Sequence, residues 1–103
     1  FHHLKSIEDR NKCIQEFSRV LKKNGTILLS VWSINQPLKT RRVFKHYGDT
    51  IVPWNNNKGN IYNRYYYIFE LKELKKILNK LFIVESHSYD CGNEIFILKK
   101  KQT

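Results

Sequence analysis

The sequence predicts an α/β chain: a helix, an apolar strand, a second helix and a closing antiparallel hairpin. Three observations carry that prediction. Ile14, Phe17, Val20 and Leu21 recur at helical spacing, and Thr26 to Trp32 is a mostly apolar, β-prone run. Two short strand-like segments, Phe82 to Tyr89 and Glu94 to Lys99, flank the turn residues Asp90-Cys91-Gly92-Asn93.

The first helix starts at Ser6, whose spacing to Asp9 is that of a capping box with Asp in place of the usual Glu or Gln. Glu8, Arg10, Lys12 and Arg19 are available for its wet side. Lys22 and Lys23 suit the negative end of the helix dipole, and Asn24-Gly25 suits a left-handed stop. Thr26 to Trp32 reads as a strand covered on both faces, as in a parallel sheet flanked by helices. Ser33 to Ile68 has no sustained period and carries Pro37, Gly48, Pro53, Gly59 and an asparagine run. It reads as one long connection with a short helix around Arg42 to Tyr47, and a connection of that length in a small domain usually serves function. Leu71, Leu74, Ile77, Leu78 and Leu81 form the apolar stripe of the second helix; Lys72, Lys75, Lys76 and Lys80 lie off it and read as a solvated face.

A chain of 103 residues fits one domain with a small core, and 41% hydrophobic with 14% aromatic residues excludes a disordered composition. No apolar run reaches membrane-spanning length. Cys13 and Cys91 belong to no Cys-x-x-Cys motif and read as reduced thiols, with a cytoplasmic location expected. His2, His3, His46 and His87 share no metal-site spacing with them, so no metal is expected. Nineteen Lys and Arg against nine Asp and Glu give a net charge of +10. Such a balance suits a polyanionic partner such as nucleic acid, although a lysine-rich composition accounts for it equally.

Val20-Leu21-Lys22-Lys23-Asn24-Gly25 followed by Thr26-Ile27-Leu28-Leu29 resembles the Leu-x-Pro-Gly-Gly turn and fifth strand of class I S-adenosylmethionine-dependent methyltransferases. Four further segments narrow the likeness: Phe1-His2-His3-Leu4, Val31 to Gln36, Asp49-Thr50-Ile51-Val52-Pro53-Trp54, and Arg64-Tyr65-Tyr66-Tyr67-Ile68-Phe69. In this order they resemble the tRNA wobble-uridine carboxymethyluridine methyltransferases, which esterify 5-carboxymethyluridine in the anticodon. The resemblance runs over nearly the whole chain. It departs at Asn35, where the family carries Glu, at Tyr67, where it carries His, and at Lys72, where it carries Gly.

The resemblance implies the distal half of a Rossmann-like class I methyltransferase fold, ending in the antiparallel hairpin. The four glycines, Gly25, Gly48, Gly59 and Gly92, include no Gly-x-Gly loop, so the cofactor-binding half is expected upstream of Phe1. S-adenosyl-L-methionine is the implied cofactor, with any contact here coming from the Phe1 and His2 edge. The tRNA anticodon arm and a small zinc-binding activator protein are the implied partners.

Arg64 is the candidate for orienting the substrate carboxylate, because its planar fork matches two oxygens. His3, and His2 beside it, are candidates to line the methyl-transfer pocket, although adjacent residues of a strand point to opposite faces. Trp32, Trp54 and Tyr65 are candidates to stack on the uracil ring, with core packing as the alternative for each. Lys39, Arg41, Arg42 and Lys45 form the densest basic cluster of the long connection and are candidates for phosphate contacts. Asp49 suits either a pairing with a basic residue or a turn. Two other functions fit these residues: a methyltransferase acting on a small acid or quinone precursor, and a non-catalytic basic RNA-binding module.

Overall fold

The computed structural model describes residues 1–38, 43–55 and 58–101. Helix α1 spans Ile7–Val20 and strand β1 Thr26–Trp32. They are followed by β2 (Gly48–Asn55), β3 (Ile61–Ile68), helix α2 (Leu71–Leu78), β4 (Phe82–Asp90) and β5 (Asn93–Lys100). The strands form two sheets, β1-β5-β4 and β2-β3. Both helices, the first strand and the closing hairpin thus fall where the sequence puts them.

The start of α1 is capped as expected: the Asp9 amide donates to Ser6 Oγ at 3.0 Å. Glu8 and Asp9 occupy its first turn and Arg19 its last, in accord with the helix dipole. Its buried face differs from the expected one. Arg10 is only 4% exposed whereas Val20 is 65% exposed. Positions 10, 14, 17 and 21 lie on one helical stripe, and that stripe, not the one through Val20, turns inward. Asn24 takes the left-handed conformation expected of it, with φ of 64°.

Strand β1 corrects a second expectation. It runs antiparallel to β5, with Leu28 opposite Ile97 and Val31 opposite Glu94, and only one of its faces is buried. Leu29 and Val31 face the core while Leu28 is 70% exposed. Because β5 pairs antiparallel with both β1 and β4, the two outer strands run parallel to each other without touching. The core forms where the helices cover one face of this sheet, from Ile14, Leu29, Val31, Leu74, Ile77, Leu78, Phe82, Phe96 and Leu98, with Phe69 closing it.

An irregularity between Val84 and Ser86 shifts the register of β4 against β5. Val84 pairs with Leu98 before it and His87 with Phe96 after it, so the inward positions change from even to odd numbers. His87 consequently stacks on the buried Phe96 ring, at 4.4 Å and 7°, and meets Glu94 Oε1 at 3.0 Å.

The connection from 33 to 68 is not irregular throughout. β2 and β3 pair antiparallel over eight residues each, from Gly48 opposite Ile68 to Asn55 opposite Ile61. Pro53 is tolerated because, among the described residues, β2 pairs with β3 alone and is an edge strand. The short helix expected around 42–47 is absent from its described part, where residues 43–47 are coil and bend.

The start of that connection is pinned to the closing hairpin. Gln36 Nε2 donates to the carbonyls of Ser33 and Gly92, each at 2.7 Å, and the Ser33 amide donates to Gly92 O at 2.8 Å. Gly92 has φ of 90°, and a Cβ there would lie 2.6 Å from Gln36 Oε1. The positive φ favours glycine, and a Cβ would push on the Gln36 amide.

Candidate functional site

Residues 1–4 make a turn, closed by the Leu4 amide donating to Phe1 O at 3.2 Å, rather than a strand. That turn lets His2 and His3 face the same way, against the alternation expected of a strand. Their rings lie 5.0 and 4.2 Å from the buried Tyr66 ring. Tyr66 in turn stacks face to face on Trp32, with centroids 3.8 Å apart and planes 8° apart. Phe44 packs on Trp32 at 5.8 Å. The end of β1, the first turn and β3 thus share one aromatic cluster.

Hydrogen bonds fix the protons of the two histidines. The Trp32 amide donates to His2 Nδ1 at 3.0 Å, so that nitrogen is the unprotonated one and neutral His2 carries its proton on Nε2. Burial, reinforced by the neighbouring His3, lowers the His2 pKa to about 4, which keeps the ring neutral at pH 7. His3 Nδ1 lies 2.8 Å from the Tyr65 carbonyl, which only accepts, so here Nδ1 carries the proton. Neutral His2 therefore presents a donor at Nε2 and neutral His3 an acceptor.

Arg64 lies on the same face of β3 as Tyr66, two residues closer to the hairpin tip. Its guanidinium sits 4.6 Å from the centre of the Trp54 ring, across the hairpin. Both side chains are exposed. An exposed guanidinium beside an indole offers a planar fork of the shape that matches two carboxylate oxygens.

Tyr65 occupies the opposite face of β3, away from Arg64 and Trp54. Its hydroxyl donates to Asp49 Oδ1 and receives a hydrogen bond from Arg10 Nη2 at 3.1 Å. Burial and the Asp49 carboxylate raise its pKa. Strand alternation therefore makes Tyr66, not Tyr65, the neighbour of Trp32. Asp49 pairs with Tyr65 in place of the basic side chain or turn role considered for it.

Arg10, placed by the sequence on the wet side of α1, is the hub behind this face. Its Nε donates to Leu4 O at 3.1 Å and its Nη2 to Lys5 O at 3.3 Å. Its guanidinium lies 3.6 Å from the centre of the Tyr67 ring, and the Tyr67 hydroxyl donates to Glu73 Oε1 at 2.8 Å. Burial and Glu73 push the Tyr67 pKa up to about 12. The Tyr67 amide also donates to His2 O at 2.6 Å. One buried cation thus ties α1, the first turn, β3 and, through Tyr67, α2.

Phe1 stacks on Phe69 at 5.4 Å and packs on Phe17 at 6.4 Å, so its ring belongs to the core margin. Phe1 and His2, the expected cofactor contacts, pack at this margin, and His2 also accepts from the Trp32 amide. Lys45 is exposed on the approach to β2. Lys39, Arg41 and Arg42 lie outside the described residues.

No family model matches the chain. It is 26% identical to the tRNA (carboxymethyluridine(34)-5-O)-methyltransferase alkbh8 of Xenopus tropicalis over 155 residues, which cover 96% of this chain and 25% of that protein. It is 41% identical to the Mus musculus protein named "Probable tRNA methyltransferase 9B" over 54 residues, 52% of this chain and 11% of that protein. The chain therefore spans about a quarter of the first relative and about a tenth of the second. Both relatives are named as tRNA methyltransferases, and the chain is distantly similar to proteins of that kind.

Proposed function

We propose that this chain is the distal, substrate-gripping part of an S-adenosylmethionine-dependent tRNA methyltransferase that forms the methyl ester of 5-carboxymethyluridine at the anticodon wobble position. The observation that carries the reading is the Arg64–Trp54 pair on the strand face it shares with Tyr66. It sets an exposed guanidinium fork beside exposed aromatic surface, the combination needed to hold a carboxylate attached to an unpaired base. The similarity to the Xenopus methyltransferase over 96% of this chain supports the same substrate.

The chemistry asks little of a general base. A free carboxylate has a pKa near 4 and is ionised at pH 7, so it attacks a sulfonium methyl group without losing a proton first. Rate comes from alignment and exclusion of water, and Arg64 orients the nucleophile without burying its charge. His2 Nε2–H and the His3 acceptor extend the polar margin of the same cluster. S-adenosylmethionine supplies the electrophilic methyl group when bound, with any contact from these residues coming from the Phe1 and His2 edge. Among the described residues β1 pairs with no strand on its second edge, which is compatible with further strands of a Rossmann-like sheet.

The test supplies the complete protein, together with the zinc-binding activator, with S-adenosylmethionine and three acceptors. These are tRNA bearing carboxymethyluridine, the same tRNA unmodified, and small carboxylic acids. Methyl transfer to the first alone is expected. Transfer to small acids instead overturns the reading in favour of a small-acid methyltransferase. Binding of tRNA by a protein that cannot bind S-adenosylmethionine identifies a non-catalytic module.

A further inference from the structure

We propose that the outer face of α2 is a second phosphate-binding surface for the tRNA, separate from the Arg64 hairpin; this rests on the function proposed above. Leu74, Ile77 and Leu78 are buried against the sheet, which turns the opposite side of the helix to solvent. There Lys72, Lys75, Lys76 and Lys80, with Asn79, line a shallow open depression. Lys72 and Lys76 are exposed one helical turn apart, roughly 6 Å between neighbours, and Lys80 is exposed in the turn that follows the helix. That interval is comparable with the separation of successive phosphates along an RNA strand.

A solvated face alone does not account for these lysines. Like charges at this spacing repel; the helix dipole favours Lys75 and Lys76 in the last turn, but among the described residues no ion pair on α2 offsets the repulsion. Among the described residues the ion pairs are Arg19 with Glu16 and His87 with Glu94, and neither lies on α2. Glu73, the acidic residue of the first turn, is engaged by the Tyr67 hydroxyl, which donates to it. Lys72 stands in the first turn, where the helix dipole disfavours a cation. Lys101 adds a further cation at the other end, its Nζ donating to Asn79 O.

The chemistry of the face favours RNA over a membrane surface. Membrane-bound amphipathic helices present an apolar stripe to lipid, and the apolar stripe of α2 is already used in the core. What remains outward is cationic and polar, the pattern that neutralises phosphates without reading sequence.

The test compares tRNA binding by the complete protein, with its activator, across a salt series. The variant is Lys72→Gln/Lys76→Gln/Lys80→Gln, with Lys12→Gln/Lys22→Gln/Lys23→Gln as a control of equal charge elsewhere. The α2 variant is expected to fold with an unchanged or higher Tm and to bind tRNA on the order of tenfold more weakly near physiological salt. Its log–log salt dependence should flatten by roughly 2, while the control changes much less. An α2 variant equal to wild type, or a control with the same loss, overturns the inference. If wild type binds and methylates tRNA and only the α2 effect is missing, this surface alone is refuted; a wild type that binds no tRNA refutes the proposed function as well.

Discussion

The Arg10 guanidinium lies over the Tyr67 ring, 3.6 Å from its centre, while donating to the carbonyls of Leu4 and Lys5 and to the Tyr65 hydroxyl. The turn bearing His2 and His3 and the strand bearing Arg64 and Tyr66 are therefore held by one buried side chain. Truncating it leaves three acceptors without their donor and removes the cation–π contact. Arg10→Ala should destabilise the protein by about 3 kcal/mol, with Arg10→Lys recovering less than half because one ammonium cannot reproduce the fork. Urea unfolding checks this; a loss below about 1 kcal/mol would show that water replaces the bonds.

His2 makes stability depend on pH. Unfolded, its imidazole binds a proton near the ordinary 6.5; folded, it does so only near about 4. Between those values the unfolded state holds more protons, so stability rises with pH in that window and is lost on acidification through it. His2→Asn keeps an acceptor for the Trp32 amide and removes the titration. Thermal unfolding from pH 7 to 4 should show wild type losing stability relative to this variant. Parallel curves would remove His2 as the cause.

The bonds of Gln36 to Ser33 and Gly92 predict coupling between the start of the long connection and the closing hairpin. Gln36→Ala should cost about 1 kcal/mol and Gly92→Ala about 2 kcal/mol, the latter from its positive φ and the clash with Gln36. In a double-mutant cycle the combined cost should fall short of the sum, because removing Gln36 relieves the clash. Strict additivity would separate the two sites.

Much of the main sheet was legible because its patterns are local. Thr26 to Trp32 is a strand, Ser6 is a cap, and Asp90 to Asn93 brackets a turn, each from neighbouring residues. The β2–β3 hairpin escaped because the Tyr65-Tyr66-Tyr67 run hides alternation, and its outer residues face solvent. Arg10 escaped because a charged residue is read as wet even when its helical phase matches Ile14 and Phe17. The phase change after Val84 depends on pairing with β5, which no local pattern records. At the candidate site, Arg64 and Trp54 were singled out through family resemblance, whereas choosing Tyr66 over Tyr65 as the neighbour of Trp32 required the strand itself.

Whether Arg64 acts on the substrate is settled by one comparison: methyl transfer to carboxymethyluridine-bearing tRNA by the complete protein and by Arg64→Ala, with S-adenosylmethionine binding measured on both. Loss of a charge-assisted hydrogen bond to the reacting carboxylate, at about 1.5–3 kcal/mol, predicts a rate lower by roughly ten- to a hundredfold. Cofactor affinity should stay unchanged. An Arg64→Ala protein that transfers methyl groups at the wild-type rate would contradict the account.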